Sequence, residues 1–322
     1  MKICLISFDH WQYDAHIVDA LLKKGIDARH INIGKYQHSS KLSRLKNTLS
    51  KIFLGKNPKL ELRQRFIINE LKKIGFQDQI LVINPELIDR EYHLKIKEYT
   101  KRYIAYLYDS LARHPINCLV EGVFDDIYSF DKDDIKTQNF KEVNNYIYLD
   151  HITQQNQSPK YDVCYLASFD NRIATIPRIA DQLDKLKKKY QFVIVGKKTW
   201  LKKLIKFSEN NSSIQYQIKR IDHKDVPQYY NDSKAILDLV RDNQTGLSFR
   251  IFEAMALEKK LITDNAKIKD YDFYNPNNIL VLNNDYDNLQ SDFFQKPYHK
   301  IPEHIYNKYT LENWIVNVFE LH

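Results

Sequence analysis

The chain has 322 residues, 43% of them hydrophobic and 28% charged, with 49 basic against 41 acidic side chains and a formal net charge of +8. Those figures describe a folded chain long enough for two domains and argue against disorder. Its seven glycines, Gly25, Gly34, Gly55, Gly75, Gly122, Gly196 and Gly246, never lie closer than nine positions, which excludes both the G-x-G-x-x-G dinucleotide loop and the G-x-x-x-x-G-K-[ST] phosphate loop.

In chain order, hydrophobic patterning predicts a strand at 2–8, a helix at 15–24 closed by Gly25, and a strand at 27–33. A basic helical segment follows at 39–55, then a helix ending at Gly75, a strand at 79–83, a helix at 85–100 and a strand at 103–108. Residues 151–160, HITQQNQSPK, are polar and contain a proline, as a linker would. A second series begins beyond it, with strands at 163–166, 192–195, 214–218, 235–240 and 260–263 and helices at 173–189, 199–207, 226–231 and 248–257. A terminal helix is expected at 311–321. Strands spaced by helices imply βαβ units and mainly parallel sheets. The expected fold is therefore α/β, with two Rossmann-like doubly wound domains facing a central cleft. The first is expected over 1–155 and the second over 156–300, with 301–322 as a helical segment packing back on the first.

The first ten residues carry too little apolar sequence for a signal peptide, and no apolar run approaches the roughly 18–20 residues that span a bilayer. Cys4, Cys118 and Cys164 are widely spaced among apolar neighbours, as reduced core thiols are. A cytoplasmic protein is expected. Positive charge is concentrated between 35 and 73, where eleven Lys and Arg face only Glu61 and Glu70. Within that stretch Leu42, Leu45, Leu49, Ile52 and Phe53 recur at helical spacing. Three readings stay open for it: a solvated face, a nucleic-acid surface, or docking on an anionic membrane through Lys41, Arg44, Lys46, Lys51 and Phe53. No nucleic-acid-binding motif accompanies it, so nucleic acid is not an expected partner.

Open α/β sheets bind ligands outside the carboxyl ends of their strands, which makes the loops after strands the ones to read. The most informative is Arg241 to Asn265, RDNQTGLSFRIFEAMALEKKLITDN. Here an apolar strand runs through a turn containing Gly246 into a helix whose amino end favours a phosphate. Thr245 and Ser248 offer hydroxyls, and Arg250 and Glu253, three apart, share a helix face. A cation for a phosphate and a carboxylate for two ribose hydroxyls would form a nucleotide clamp; an ordinary surface ion pair is the other reading.

This stretch resembles the donor-binding motif of GT-B glycosyltransferases, in which a glycine-containing loop precedes an (F/L)EAMA helix and a short KLIT strand. More narrowly it is similar to CgeB-like and bacterial lipopolysaccharide or capsule glycosyltransferases, which carry a QTGLSxRxFEAMA pattern. Residues 192–196 (FVIVG), 226–238 (VPQYYNDSKAILD), 106–110 (YLYDS) and 124–134 (FDDIYSFDKDD) extend the resemblance to about 220 positions in outline. It implies a donor site made of Arg172, Gly196, Lys197, Gln244, Thr245, Gly246, Ser248, Arg250 and Glu253. It also implies a nucleotide-diphosphate sugar, foremost a UDP-sugar, as donor substrate, with no separate cofactor, and a surface-glycan or lipid-linked acceptor. The sequence departs from the pattern of many retaining members: eight residues before Glu253 stands Thr245, not a glutamate, so no stereochemical outcome carries over. Ala167 stands where relatives place glycine.

Transfer to a hydroxyl needs a general base. Asp109, directly after a first-domain strand, and Asp9 with His10, after the first strand, are the candidates. Asp14, at the start of the next helix, reads as an N-cap. Asp131/Asp133, Asp270/Asp272 and Asp285/Asp287 have Asp-x-Asp spacing but fall in acidic or Asn-rich loops, and no metal is assigned. A nucleotide-sugar epimerase of the same fold and a non-catalytic relative remain as alternatives.

Overall fold

The computed structural model describes residues 1–9, 11–35, 58–149, 158–197, 199 and 213–321. The chain divides into two compact units: Met1–Asn144 with Leu311–His322, and Asn145–Thr310. The expected boundaries shift accordingly. Residues 145–149 fall in the second unit, and of the segment expected at 301–322 the part from Leu311 onward belongs to the first.

The first unit is built on six parallel strands: β1 (Lys2–Ser7), β2 (Asp27–Asn32), β3 (Gln77–Ile83), β4 (Thr100–Leu107), β5 (Asp126–Ser129) and β6 (Lys141–Glu142), in the order β2-β1-β3-β4-β5-β6. Its helices are α1 (Asp14–Lys23), α2 (Pro58–Ile74), α3 (Arg90–Lys97), α4 (Asn117–Val120) and α5 (Lys132–Gln138). Alternation along the strands sorts the core: Cys4, Ile6, Ile80, Val82, Tyr103 and Ala105 pack with Ile67 and Leu71 of α2 and Ile96 of α3. The helix expected at 85–100 is interrupted. A 3-10 turn at Pro85–Leu87 follows Asn84 in a left-handed conformation, and Asp89 is extended, so α3 starts only at Arg90 and β4 already begins at Thr100. The short β5 and β6 escaped the sequence reading because four and two residues cannot display a period.

The second unit holds β7 (Tyr161–Ser168), β8 (Tyr190–Val195), β9 (Ile214–Gln217), β10 (Ser233–Asp238), β11 (Lys260–Thr263) and β12 (Ile279–Val281), all parallel, in the order β12-β11-β10-β7-β8-β9. Its helices are α6 (Ile176–Lys185), α7 (Val226–Asn231), α8 (Phe249–Ala256) and α9 (Glu303–Tyr306). The helix expected from 173 starts at Ile176 beside Pro177, after a 3-10 turn at Asn171–Ala174, and ends before Lys187, whose φ is 53°. Ile251, Phe252 and Met255 of α8 are buried with Cys164, Leu166 and Ile236 of the sheet. Of the helix expected at 199–207, residues 200–207 lie outside the described residues, as does most of the expected linker.

The last helix, α10 (Leu311–Phe319), packs on the first unit: Trp314 meets Tyr106 edge to face at 5.2 Å, and Gln79 donates to the Phe319 carbonyl at 2.8 Å. Arg102 clasps the same end. It pairs with Asp126 and Glu320 and donates to the Val318 carbonyl at 3.0 Å. No described helix is long and apolar enough to cross a membrane.

Candidate functional site

Strand order reverses between β7 and β10, because β8 and β9 extend to one side and β11 and β12 to the other. The carboxyl ends of those two strands are where a doubly wound sheet opens a crevice. After β7, Asp170 accepts the Arg172 backbone N–H at 3.2 Å and grips its guanidinium with both oxygens, Nε–Oδ1 2.8 Å and Nη2–Oδ2 2.6 Å. The remaining Arg172 nitrogen, Nη1, donates to the Leu239 carbonyl beyond β10 at 2.8 Å. Arg172 thus ties one loop to the other. Burial pushes the Asp170 carboxyl up, but Arg172 beside it outweighs this and holds it below the usual carboxylate range.

Asp238, the last residue of β10, is 1% exposed. Its Oδ1 accepts both the Ser248 hydroxyl at 2.7 Å and Arg250 Nε at 2.8 Å, and Thr263 approaches Oδ2 at 3.4 Å. Arg250 Nη1 reaches the Leu166 carbonyl at 3.4 Å, and the guanidinium carbon lies 5.8 Å from the centre of the Tyr165 ring. Burial works against the charge on Arg250, yet Asp238 holds its pKa above the ordinary arginine value. Ser248 occupies the N-cap position of α8 but makes no capping bond; its hydroxyl goes to Asp238 instead. One residue past β11, Asp264 accepts the Val240 N–H at 2.7 Å, and burial pushes its carboxyl up to about 6.

Arg250 and Glu253 do not form the pair their spacing suggests. Glu253 is 2% exposed and accepts the Tyr148 hydroxyl, and the Tyr148 ring stacks on His223 at 4.9 Å. The Gly246 turn is held by Asn145, which donates to the Leu247 carbonyl at 2.8 Å, and by Asn265, which reaches the Thr245 carbonyl at 3.5 Å. Gln244 and Thr245 are half-buried on this turn. Gly196, at the end of β8, is needed for close approach: a Cβ there would stand 3.2 Å from Phe169 Cβ, and its φ of 155° suits few other residues. Lys197 follows it, exposed. The expected donor residues therefore gather around the carboxyl ends of β7, β8 and β10. Asp170 and Asp238, which organise the two arginines, were missed; their place at strand ends was the available signal.

In the first unit the order reverses between β1 and β3. Asp9, with φ 44°, sits there and accepts the Asp14 N–H at 3.0 Å and the Asn32 amide at 3.2 Å. Gly34 makes this fit possible, since a Cβ would run into the Phe8 carbonyl oxygen. Asp14 opens α1 as its first residue rather than as its cap, is 2% exposed, and accepts the Tyr108 hydroxyl at 2.5 Å. Burial pushes its carboxyl up to about 6, against opposing hydrogen bonds from Tyr108 and Ser7. Asp109, after β4, pairs with Arg113 at 3.1 Å and stands 3.5 Å from His114 Nε2, whose Nδ1 is 3.9 Å from Glu86. His114, between these two carboxylates, was not singled out by sequence reading. Asp131 caps α5, Asp272 holds Lys308 and Tyr309, and Asp287 takes the Asn283 amide, so each Asp-x-Asp pair has at least one member in a structural bond. His10 and the basic-segment residues Lys41, Arg44, Lys46, Lys51 and Phe53 lie outside the described residues.

Residues 176–297 match the family model described as "Glycosyl transferase-like". Three solved structures align over almost the whole chain. An α-glucosyltransferase in complex with UDP and a 13-mer DNA containing a central A:G mismatch has a TM-score of 0.61 at 12% identity, covering 99% of this chain and 96% of that one. A glycosyltransferase from Rickettsia africae ESF-5 has 0.57 at 13%, covering 99% and 97%. The UDP-GlcNAc 2-epimerase of Methanocaldococcus jannaschii, in complex with UDP-GlcNAc and UDP, has 0.56 at 14%, covering 99% of both. Identities this low speak for the fold alone. No curated protein matches the chain in sequence. The chain has the GT-B fold, and its residues 176–297, which contain the turn and helix carrying Ser248, Arg250 and Glu253, match the model of the glycosyl transferase-like family.

Proposed function

We propose that this protein transfers a sugar from a nucleotide-diphosphate donor, foremost a UDP-sugar, to a hydroxyl of a bacterial surface glycan or its lipid-linked precursor. The observation that carries this reading is the Arg250 guanidinium, fixed by Asp238 where strand order reverses, at the start of α8 and inside the family segment. In the reaction the bond from the anomeric carbon to the diphosphate breaks and a bond from that carbon to the acceptor oxygen forms. The acceptor proton passes to a base, and the nucleoside diphosphate leaves. Its negative charge is met by Arg250 and the amino end of α8, with Lys197 and the Thr245 hydroxyl as further donors. Asp9 and Asp109 are the proposed bases, with His114 alongside them. The first unit is assigned the acceptor and the second the donor. The basic segment is assigned to the inner face of the cytoplasmic membrane, where a lipid-linked acceptor would be met.

Thermal-shift screening against UDP-, GDP-, CMP- and TDP-sugars tests the donor assignment, because a ligand that binds only the folded protein raises its melting temperature. A shift with one nucleotide series supports it, and no shift with any of the four removes it. Sedimentation with neutral and anionic liposomes tests the membrane assignment; equal sedimentation would remove it. The fold likeness to a UDP-GlcNAc 2-epimerase favours a second reading, epimerisation, which would consume a nucleotide sugar with no acceptor present.

A further inference from the structure

We propose that Asp238 is the positioning residue of the donor site: from the end of β10 its buried carboxylate aims the Arg250 guanidinium at the donor's diphosphate and, by accepting the Ser248 hydroxyl, anchors the first turn of α8. This rests on the glycosyl-transfer reading and adds a division of labour among the charged residues of the site.

A carboxylate buried at the end of a central strand carries a heavy desolvation cost unless it is paired. Asp238 is paired twice through one oxygen, to Ser248 and Arg250. Both bonds constrain α8 at its first turn. Ser248 gives up the capping bond its position invites in order to reach Asp238. Arg250 is engaged through Nε by Asp238 and through Nη1 by the Leu166 carbonyl, while its Nη2 donates to no acceptor among the described residues. Arg172 presents the opposite case. Its Nε, Nη1 and Nη2 all donate, two to Asp170 and one to the Leu239 carbonyl. A guanidinium with every nitrogen bound to protein is a tie between loops, whereas one held by two nitrogens with a third left over is an oriented anion ligand. The structure therefore assigns the diphosphate to Arg250, with Asp238 acting through it, and makes Arg172 a scaffold residue.

The test is calorimetric binding of UDP and uridine, or of GDP and guanosine if that is the pair the protein binds, to wild type, Asp238→Asn, Arg250→Ala and the double variant. Each is first checked for cooperative unfolding. Asp238→Asn is expected to weaken diphosphate binding about tenfold and to leave nucleoside binding unchanged. In the Arg250→Ala background the same change is expected to cost less than about twofold, since its effect runs through the missing guanidinium. Equal losses for diphosphate and nucleoside, additive losses in the double variant, or unaltered binding by folded Asp238→Asn would each overturn the proposal. If Asp238→Asn does not fold, Arg250→Lys replaces it: a lysine ammonium lacks the fork that joins Asp238 while facing a phosphate, so wild-type diphosphate affinity in that variant would overturn the proposal. A wild-type protein that binds no nucleoside diphosphate overturns the glycosyl-transfer reading itself, a result distinct from all of these.

Discussion

The Tyr148 hydroxyl donates to the Glu253 carboxylate at 2.5 Å, joining the chain segment ahead of β7 to the middle of α8. Glu253 thereby has a partner other than Arg250, one turn earlier on the same helix, which is bound to Asp238. The two residues of the expected clamp are held by different partners.

Their separate partners make the ribose role expected of Glu253 testable apart from the phosphate role proposed for Arg250. Glu253→Gln keeps the side chain's size and an oxygen able to accept from Tyr148, but removes the charge. If the carboxylate takes ribose hydroxyls, the wild type binds UDP about tenfold more tightly than 2′-deoxy-UDP, and the variant loses most of that preference. Titration calorimetry of both nucleotides on both proteins measures it. The same preference in wild type and variant would leave Glu253 as a buried partner of Tyr148 and nothing more.

Asp14 gives the first unit a pH dependence whose sign is fixed. Its carboxyl stands at about 6 in the fold, against about 3.9 in an unfolded chain. Between those values the folded state binds more protons, so this residue's contribution to stability is fully present below about pH 4, falls as pH rises to about 6, and stays lost above. Asp14→Asn removes the decline. Relative to wild type it should be on the order of 2 kcal/mol more favourable at pH 8 than at pH 4. Urea denaturation of both proteins at several pH values supplies the comparison, and a constant difference across that range would contradict it.

Much of the architecture was legible because buried parallel strands and amphipathic helices carry strong periods: apolar runs such as ILVI at 80–83 and FVIV at 192–195 announced β3 and β8. The first unit's later strands were not, being too short to display alternation. At the site, the motif located the turn and α8, since loop glycine and helix amino end are local features. Side-chain partnerships were illegible. Spacing alone puts Arg250 and Glu253 on one face, but Asp238, twelve residues from Arg250, and Tyr148, 105 residues from Glu253, decide where each side chain goes. Asp14 was read as a cap because helix starts favour aspartate; only the position of Tyr108, 94 residues away, reveals it as a buried acceptor.

Arg102 links α10 to the sheet of the first unit through bonds to Asp126, Gln79, Glu320 and the Val318 carbonyl. Truncating it leaves Lys141 as the remaining ion-pair partner of Asp126 and Glu320 and loosens the helix that covers Tyr106. Arg102→Ala is expected to cost about 1.5 to 3 kcal/mol, the worth of a hydrogen bond to a charged group, with proteolysis near residues 310–321 appearing before global unfolding. Limited proteolysis followed by mass spectrometry identifies the first cut. A first cut elsewhere, with stability unchanged, would mean that the burial of Trp314, Val318 and Phe319 holds α10 without the arginine.

Two buried tyrosines make opposite predictions from one principle. The Tyr103 hydroxyl is hydrogen-bonded to His93 Nδ1 at 2.7 Å, and His93 Nε2 contacts the Pro85 carbonyl at 2.9 Å, so the imidazole is fully engaged; burial lowers its pKa to about 4 and keeps it neutral. Tyr103→Phe leaves a buried ring nitrogen without its hydroxyl and should cost about 1 to 3 kcal/mol. The Tyr165 hydroxyl, equally buried, has no hydrogen-bond partner among the described residues. Its ring packs edge-on to Phe192 at 6.0 Å and under the Arg250 guanidinium, contacts that a phenylalanine retains. Tyr165→Phe should therefore leave stability unchanged or raise it by up to about 1 kcal/mol. Nucleotide affinity should hold, since the cation still has an aromatic face beneath it. Equilibrium denaturation of the two variants side by side reads both outcomes. A loss at Tyr165 as large as that at Tyr103 would show that the Tyr165 hydroxyl is engaged in the folded protein.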